Sequence, residues 1–98
     1  MEIDEQGFLN FLSIKKGAAR NTILGHKSRL HIFKRWLRQN SFPLDRTSVE
    51  QFLAEKSQTV GINEYIYFFR SLEAYLEDIG HPQTLIKSHI FRHPAVRV

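Results

Sequence analysis

Residues 22–37 read Thr22-Ile23-Leu24-Gly25-His26-Lys27-Ser28-Arg29-Leu30-His31-Ile32-Phe33-Lys34-Arg35-Trp36-Leu37. At about 100° per residue, Ile23, Leu30, Phe33 and Leu37 fall on one stripe with His26 on the same side, the pattern of an amphipathic helix and not of a strand. With Leu30 at the centre of that stripe, Lys27, His31, Arg35 and Arg38 occupy one adjoining flank, and Arg29 and Trp36 the other. The charge on this helix has one sign. Between Ile14 and Asn40 stand eight basic residues (Lys15, Lys16, Arg20, Lys27, Arg29, Lys34, Arg35 and Arg38) and no Asp or Glu. A solvated helix normally mixes signs, so an uncompensated positive arc points to an anionic partner, of which DNA is the commonest.

Working outward, the same reading gives three more helices. Toward the N-terminus, Asp4 to Lys16 form a helix with Asp4 as N-cap and Phe8, Leu9, Phe11 and Leu12 on its apolar face, ended by Gly17. The central helix then starts near Thr22, capped by Asn21 or Thr22, and runs to about Gln39, with Pro43 preventing continuation. Thr47-Ser48-Val49-Glu50 has the form of a capping box, with Thr47 as cap and Val49, Phe52 and Leu53 buried behind it. After a loop over 56–61, a fourth helix runs from Ile62 or Asn63 to Ile79. Its apolar face comprises Ile62, Tyr65, Ile66, Phe69, Leu72, Leu76 and Ile79, and Gly80 followed by His81-Pro82 marks its end. The expected fold is therefore all-α, a compact four-helix bundle. Residues 1–82 are read as the domain and 83–98 as a linker, since Thr84 to Phe91 have little to pack on before Pro94.

Bulk properties narrow the class. A chain of 98 residues supports one domain with a real core, and 42% hydrophobic residues including eight Phe exclude intrinsic disorder. There is no cysteine, hence no disulfide and no thiolate metal site. No apolar run approaches the roughly 20 residues that span a bilayer, and the acidic start does not resemble a secretory signal, so a cytoplasmic location is expected. The net charge of +4 conceals strong polarity: residues 1–13 carry −3, and Thr47 to Gly80 carries two basic against six acidic residues.

Catalytic and metal chemistry find no support. The serines lack a nucleophile motif such as G-x-S-x-G, no glycine-rich phosphate loop is present, and Glu73 and Glu77 read as a solvated helix face. His26 and His31 are five apart and face different ways, while His81, His89 and His93 lie without neighbouring carboxylates, so no metal or other cofactor is expected. The residues left for function are basic or hydrogen-bonding. Lys15, Lys16 and Arg20 stand at the N-terminal end of the central helix, where free backbone N–H groups and the helix dipole favour phosphate. On the fourth helix Asn63, Tyr67, Arg70 and Ala74 form an exposed strip, and Asn and Arg are the residue types that contact adenine and guanine bidentately. The competing reading of these charges is solubility, with Lys34 and Arg38 pairing with the acidic first or fourth helix.

Taken in order, these segments resemble the N-terminal, SAM-like core-binding domain of phage-type integrases, the tyrosine recombinases. Phe8-Leu9-Asn10-Phe11-Leu12 is similar to the family's opening F-x-x-[FY]-L, and residues 22–37 resemble its T-[LI]-x-x-Y-x-x-x-L-x-x-F-x-x-[WF]-L helix, with His26 where Tyr is usual. Thr47 to Leu53 and Asn63 to Leu76 resemble its third and fourth helices. The resemblance covers Phe8 to Pro82. It implies DNA integration or excision, with this domain and a catalytic domain of the same parent chain clamping duplex DNA. By that carry-over Lys16, Arg20, Asn21, Thr22, Lys27 and Arg29 contact phosphates or the groove, and Asn63, Tyr67 and Arg70 approach the major groove. It also implies a monomer in isolation, an oligomer of the parent on DNA, and no membrane or small-molecule partner. The family's Arg, Lys, H-x-x-R and Tyr constellation belongs to the catalytic domain, and His89-Ile90-Phe91-Arg92 matches H-x-x-R by spacing alone, so the fragment is expected to bind without cutting.

Two alternatives stand beside this. A SAM-like protein–protein interaction module would use exposed Trp36, Phe68 and Tyr75 as a docking patch. A helix-turn-helix regulator fits less well, because the connection between the third and fourth helices is long for that motif.

Overall fold

Four helices form in the computed structural model, which describes residues 3–56 and 62–86: α1 (Glu5–Ile14), α2 (Arg20–Asn40), α3 (Arg46–Lys56) and α4 (Ile62–Asp78). The predicted four-helix all-α architecture is what the chain adopts, with no strand among the described residues. The two expected glycine stops are present. Gly17 (φ +60°) and Gly80 (φ +85°) take the left-handed conformation that carries a steric penalty for other residues. The turn at Gly17 is closed by the Ala18 N–H donating to the Leu12 carbonyl, and that at Gly80 by the His81 N–H donating to the Leu76 carbonyl.

The caps differ from the sequence expectation. Asp4 is the N-cap of α1, but its side chain makes no capping hydrogen bond. Helix α2 begins two residues earlier than expected, with extended Ala19 as N-cap, so Asn21 and Thr22 lie inside its first turn and cap nothing. At α3 the cap is Asp45 and not Thr47: the Asp45 carboxylate accepts the Ser48 N–H at 2.9 Å. Glu50 does not reach back as a capping box requires; it faces Arg46 at 3.7 Å, one turn earlier on the same helix. The end of α2 holds a feature with no glycine to announce it. Ser41 adopts φ 56°, and the Phe42 N–H closes the helix on the Leu37 carbonyl at 3.0 Å.

The core is aromatic. Phe33 of α2 meets Phe69 at 4.9 Å and Phe52 at 5.1 Å, both edge to face, so α2, α3 and α4 share one ring cluster. Phe8 of α1 extends the cluster to Phe68 at 5.9 Å and Tyr75 at 5.6 Å. Edge-to-face pairs of this kind add about 0.5–1.5 kcal/mol each beyond the area they bury. This arrangement rotates α4 relative to the sequence reading. Phe68 and Tyr75 are buried, whereas Ile79, just past the helix, is exposed. Trp36 is half-buried, and its indole N–H donates to Glu55 Oε1 at 3.0 Å. The docking patch of Trp36, Phe68 and Tyr75 therefore does not exist as a surface.

The stretch after Pro82 also departs from expectation. Leu85 and Ile86 are buried, and their backbone N–H groups both donate to Glu73 Oε2, at 2.6 and 2.8 Å. Glu73 is thus a clip that holds the chain against α4, not part of a solvated face. The predicted 56–61 loop beyond Lys56, the expected linker past Ile86, and His89, Arg92 and His93 lie outside the described residues.

Candidate nucleic-acid interface

Helix α2 crosses α4 so that the Arg29 flank of the one faces the Tyr67 flank of the other. Between them opens a groove of about 600 Å³. Its walls carry Lys16 from the turn after α1, Asn21, Thr22 and Arg29 from α2, and Tyr67 and Arg70 from α4. Gly25, His26, Glu64 and Ser71 complete it. The floor is set by His26, which is buried and stacks on Phe8 at 6.3 Å while meeting Phe68 edge-on at 5.8 Å. Its Nε2 lies 3.3 Å from Ser71 Oγ, a hydrogen bond that ties the two walls together.

His26 carries an energetic consequence. Burial first, and the Arg29 guanidinium second, push its pKa below the usual histidine value, and its Nδ1 is buried without a hydrogen-bond partner. A folded-state pKa below the unfolded value of about 6.5 means that the unfolded chain binds the proton first. The neutral ring therefore contributes stability above pH ~6.5 that is lost as pH falls through the lower folded value. The urea midpoint is expected to drop between pH 7.5 and pH 5, and His26→Gln to flatten that dependence. A midpoint whose acid loss is identical in the variant excludes His26 as its source.

The electrostatics at the α2 entrance complete the geometry. Ala19 supplies no capping side chain and the first turn of α2 contains no acidic residue. The early backbone N–H groups and the positive end of the helix dipole are left beside Lys16. Lys15 is turned the other way, pairing with Asp78 at 3.0 Å across an exposed surface, where such a pair contributes about 0–1 kcal/mol. Arg29 is half-buried, with its guanidinium carbon 6.0 Å from the centroid of the Tyr65 ring.

The phage integrase N-terminal SAM-like domain matches residues 6–78, from the first turn of α1 to the end of α4. The chain belongs to this family. DNA recombination and integration are the processes of phage integrases, and DNA is the partner that membership brings. No curated protein and no solved structure matches the chain.

Of the nine residues nominated from the sequence, this integrase domain brings six into the groove: Lys16, Asn21, Thr22, Arg29, Tyr67 and Arg70. Asn63, Arg20 and Lys27 are exposed but do not line it. On the helical projection Arg20 and Lys27 fall on the opposite flank of α2, the side that meets α1. There His31 pairs with Glu5 at 2.6 Å and the Lys34 ammonium donates to the Ile3 carbonyl at 3.1 Å. Lys34 thus grips a backbone carbonyl just before α1, and it is His31 that pairs with an acidic residue of that helix. Sequence reasoning missed Gly25, Glu64 and Ser71. A glycine in the middle of a strong helix pattern is itself a signal of close approach, whereas Glu64 and Ser71 become groove residues only once the rotation of α4 is known. Among the described residues no three His, Asp or Glu side chains converge as metal ligands, and no helix is long and apolar enough to cross a membrane.

Proposed function

We propose that the α2–α4 groove receives the backbone of duplex DNA, and that the domain is the non-catalytic half of a clamp used in site-specific integration or excision. The observation that carries this reading is the convergence of Lys16, Arg29 and Arg70 from three separate segments on one groove beside the uncapped start of α2. Asn21, Thr22 and Tyr67 add neutral hydrogen-bonding groups to the same walls. Arg20 and Lys27, on the far flank of α2, serve phosphates of the other strand when the outer arc of that helix enters the major groove. Asn63 and Arg70 at the exposed edge of α4 are the side chains suited to base edges. Most contacts are phosphate contacts, which position the domain without specifying sequence. Cleavage belongs to the catalytic domain of the parent chain; the binding body extends to Ile86, and the residues after it lead toward that domain. The fragment acts as a monomer, and the parent oligomerises on DNA.

Fluorescence anisotropy of a labelled mixed-sequence duplex against rising salt tests the reading. Three groove cations engaging phosphates give a slope of log K against log salt of at least about −2.7, or roughly a fortyfold loss of affinity between 50 and 200 mM. Binding that ignores salt, or no binding to duplex at low salt, overturns it.

A further inference from the structure

Gly25 sits in the interior of α2, where a glycine is destabilising relative to alanine. The reason for its presence is steric and specific. A Cβ placed on Gly25 would lie 2.7 Å from Arg29 Nη1 and 3.7 Å from Arg29 Cζ, so the missing methyl is where the guanidinium rests. Arg29 folds back along the helix by one turn, the direction in which helical side chains lean. On its other side it meets the Tyr65 ring at 6.0 Å, within cation–π reach. Tyr65 is in turn fixed by edge contacts to Phe52 at 5.1 Å and Phe68 at 6.5 Å, so the ring belongs to the core cluster and is not free to drift. Among the described residues no carboxylate pairs with Arg29. The guanidinium is held in place by a ring and an absent methyl, neither of which neutralises its charge.

We propose that Gly25 is a positioning residue: with Tyr65 it holds the Arg29 guanidinium in the groove wall, ordered and un-neutralised, ready for a DNA phosphate. The inference rests on the DNA reading of the groove and adds to it a division of labour, in which helix stability is surrendered at Gly25 for order at Arg29. Because the clash created by Gly25→Ala is with the far end of a flexible side chain, the helix accepts the methyl and Arg29 is the part that moves.

The consequence is a pair of effects with opposite signs. In the full 98-residue chain, Gly25→Ala is expected to raise Tm by roughly 2–8 °C from helix propensity. The same substitution is expected to weaken binding to a labelled mixed-sequence duplex about two- to twelvefold, the range associated with ordering one long side chain. Tyr65→Leu, which removes the ring and leaves Gly25, should weaken binding over the same range. Arg29→Ala should weaken it about five- to a hundredfold, and Gly25→Ala added to Arg29→Ala should produce no further loss. If Gly25→Ala binds as tightly as the parent while Arg29→Ala binds weakly, the positioning role is wrong and the groove reading stands. If Arg29→Ala also leaves affinity unchanged, the groove reading fails and the positioning role falls with it. Additive losses in the double variant likewise overturn the proposal, since Gly25 would then act by a route that does not pass through Arg29.

Discussion

Arg29→Glu combined with Arg70→Glu is expected to weaken duplex binding by about 2–6 kcal/mol, at least some thirtyfold at low salt. The charged groove residues are Lys16, Arg29, Arg70 and Glu64, a net +2 with His26 neutral, and the double reversal turns this into −2. Attraction to the polyanion becomes repulsion at the site of closest approach, and the slope of log K against log salt should fall by about 2. Both side chains project from helix surfaces, Arg70 exposed and Arg29 half-buried, so the fold tolerates the change. Circular dichroism of the variant should remain helical.

The opposite flank of α2 provides the comparison that makes the result interpretable. Arg35→Glu combined with Arg38→Glu introduces the same change in net charge without touching the groove or any residue assigned to a phosphate. Screening over about 8 Å at physiological salt limits its effect on groove contacts, so its loss of affinity should be clearly the smaller. If the flank pair costs as much as the groove pair, the docking face is the outer arc of α2 and the groove is incidental. If neither pair matters, DNA is not bound through this helix.

The division between what the sequence discloses and what it withholds follows physical lines. Helix number and order were legible because the apolar period of α2 and the glycines at 17 and 80 are local signals, each with its own steric cause. The cap of α3 was misplaced because Thr47-Ser48-Val49-Glu50 matches a capping box by residue type and spacing, whereas the Ser48 N–H donates to Asp45. The start of α2 was hidden because Ala19 caps by backbone geometry and supplies no side chain to read. Ser41 shows the converse: a left-handed residue that is not glycine leaves no mark in the sequence. The rotation of α4 was out of reach for a different reason. Residues 65–69 are all apolar or aromatic, so the stripe has no sharp centre, and the contacts of Phe8 and Phe11 with Phe68 and Tyr75 choose it. The groove inherits this dependence. Lys16, Asn21, Thr22 and Arg29 could be named from α2 and its entry turn, but Glu64 and Ser71 follow only from how α4 turns against α1.

Phe33→Ala is expected to destabilise the domain by about 3–5 kcal/mol, the range for deleting a fully buried phenyl ring. Phe33 is wholly inaccessible and its ring contacts Phe52, Phe69, Phe68 and, along its own helix, Trp36. The cavity left by its removal is walled by rigid aromatic rings from three helices, which cannot collapse into it as flexible aliphatic chains do. For a domain of this size, with total stability at the low end of about 5–15 kcal/mol, that loss removes most of the margin. Urea denaturation should show a midpoint shifted to much lower concentration, and a shift equivalent to less than about 1 kcal/mol would mean that the ring cluster is not the centre of the fold. Phe42→Ala is the matched control, because Phe42 is half-buried and, among the rings of the described residues, touches only Trp36; it should cost clearly less. The loss also reaches function. Phe33 is one of the side chains through which α2 grips α4, beside His26 and Arg29, so loosening it lets the two groove walls shift, and DNA affinity should fall even under conditions where the variant remains mostly helical.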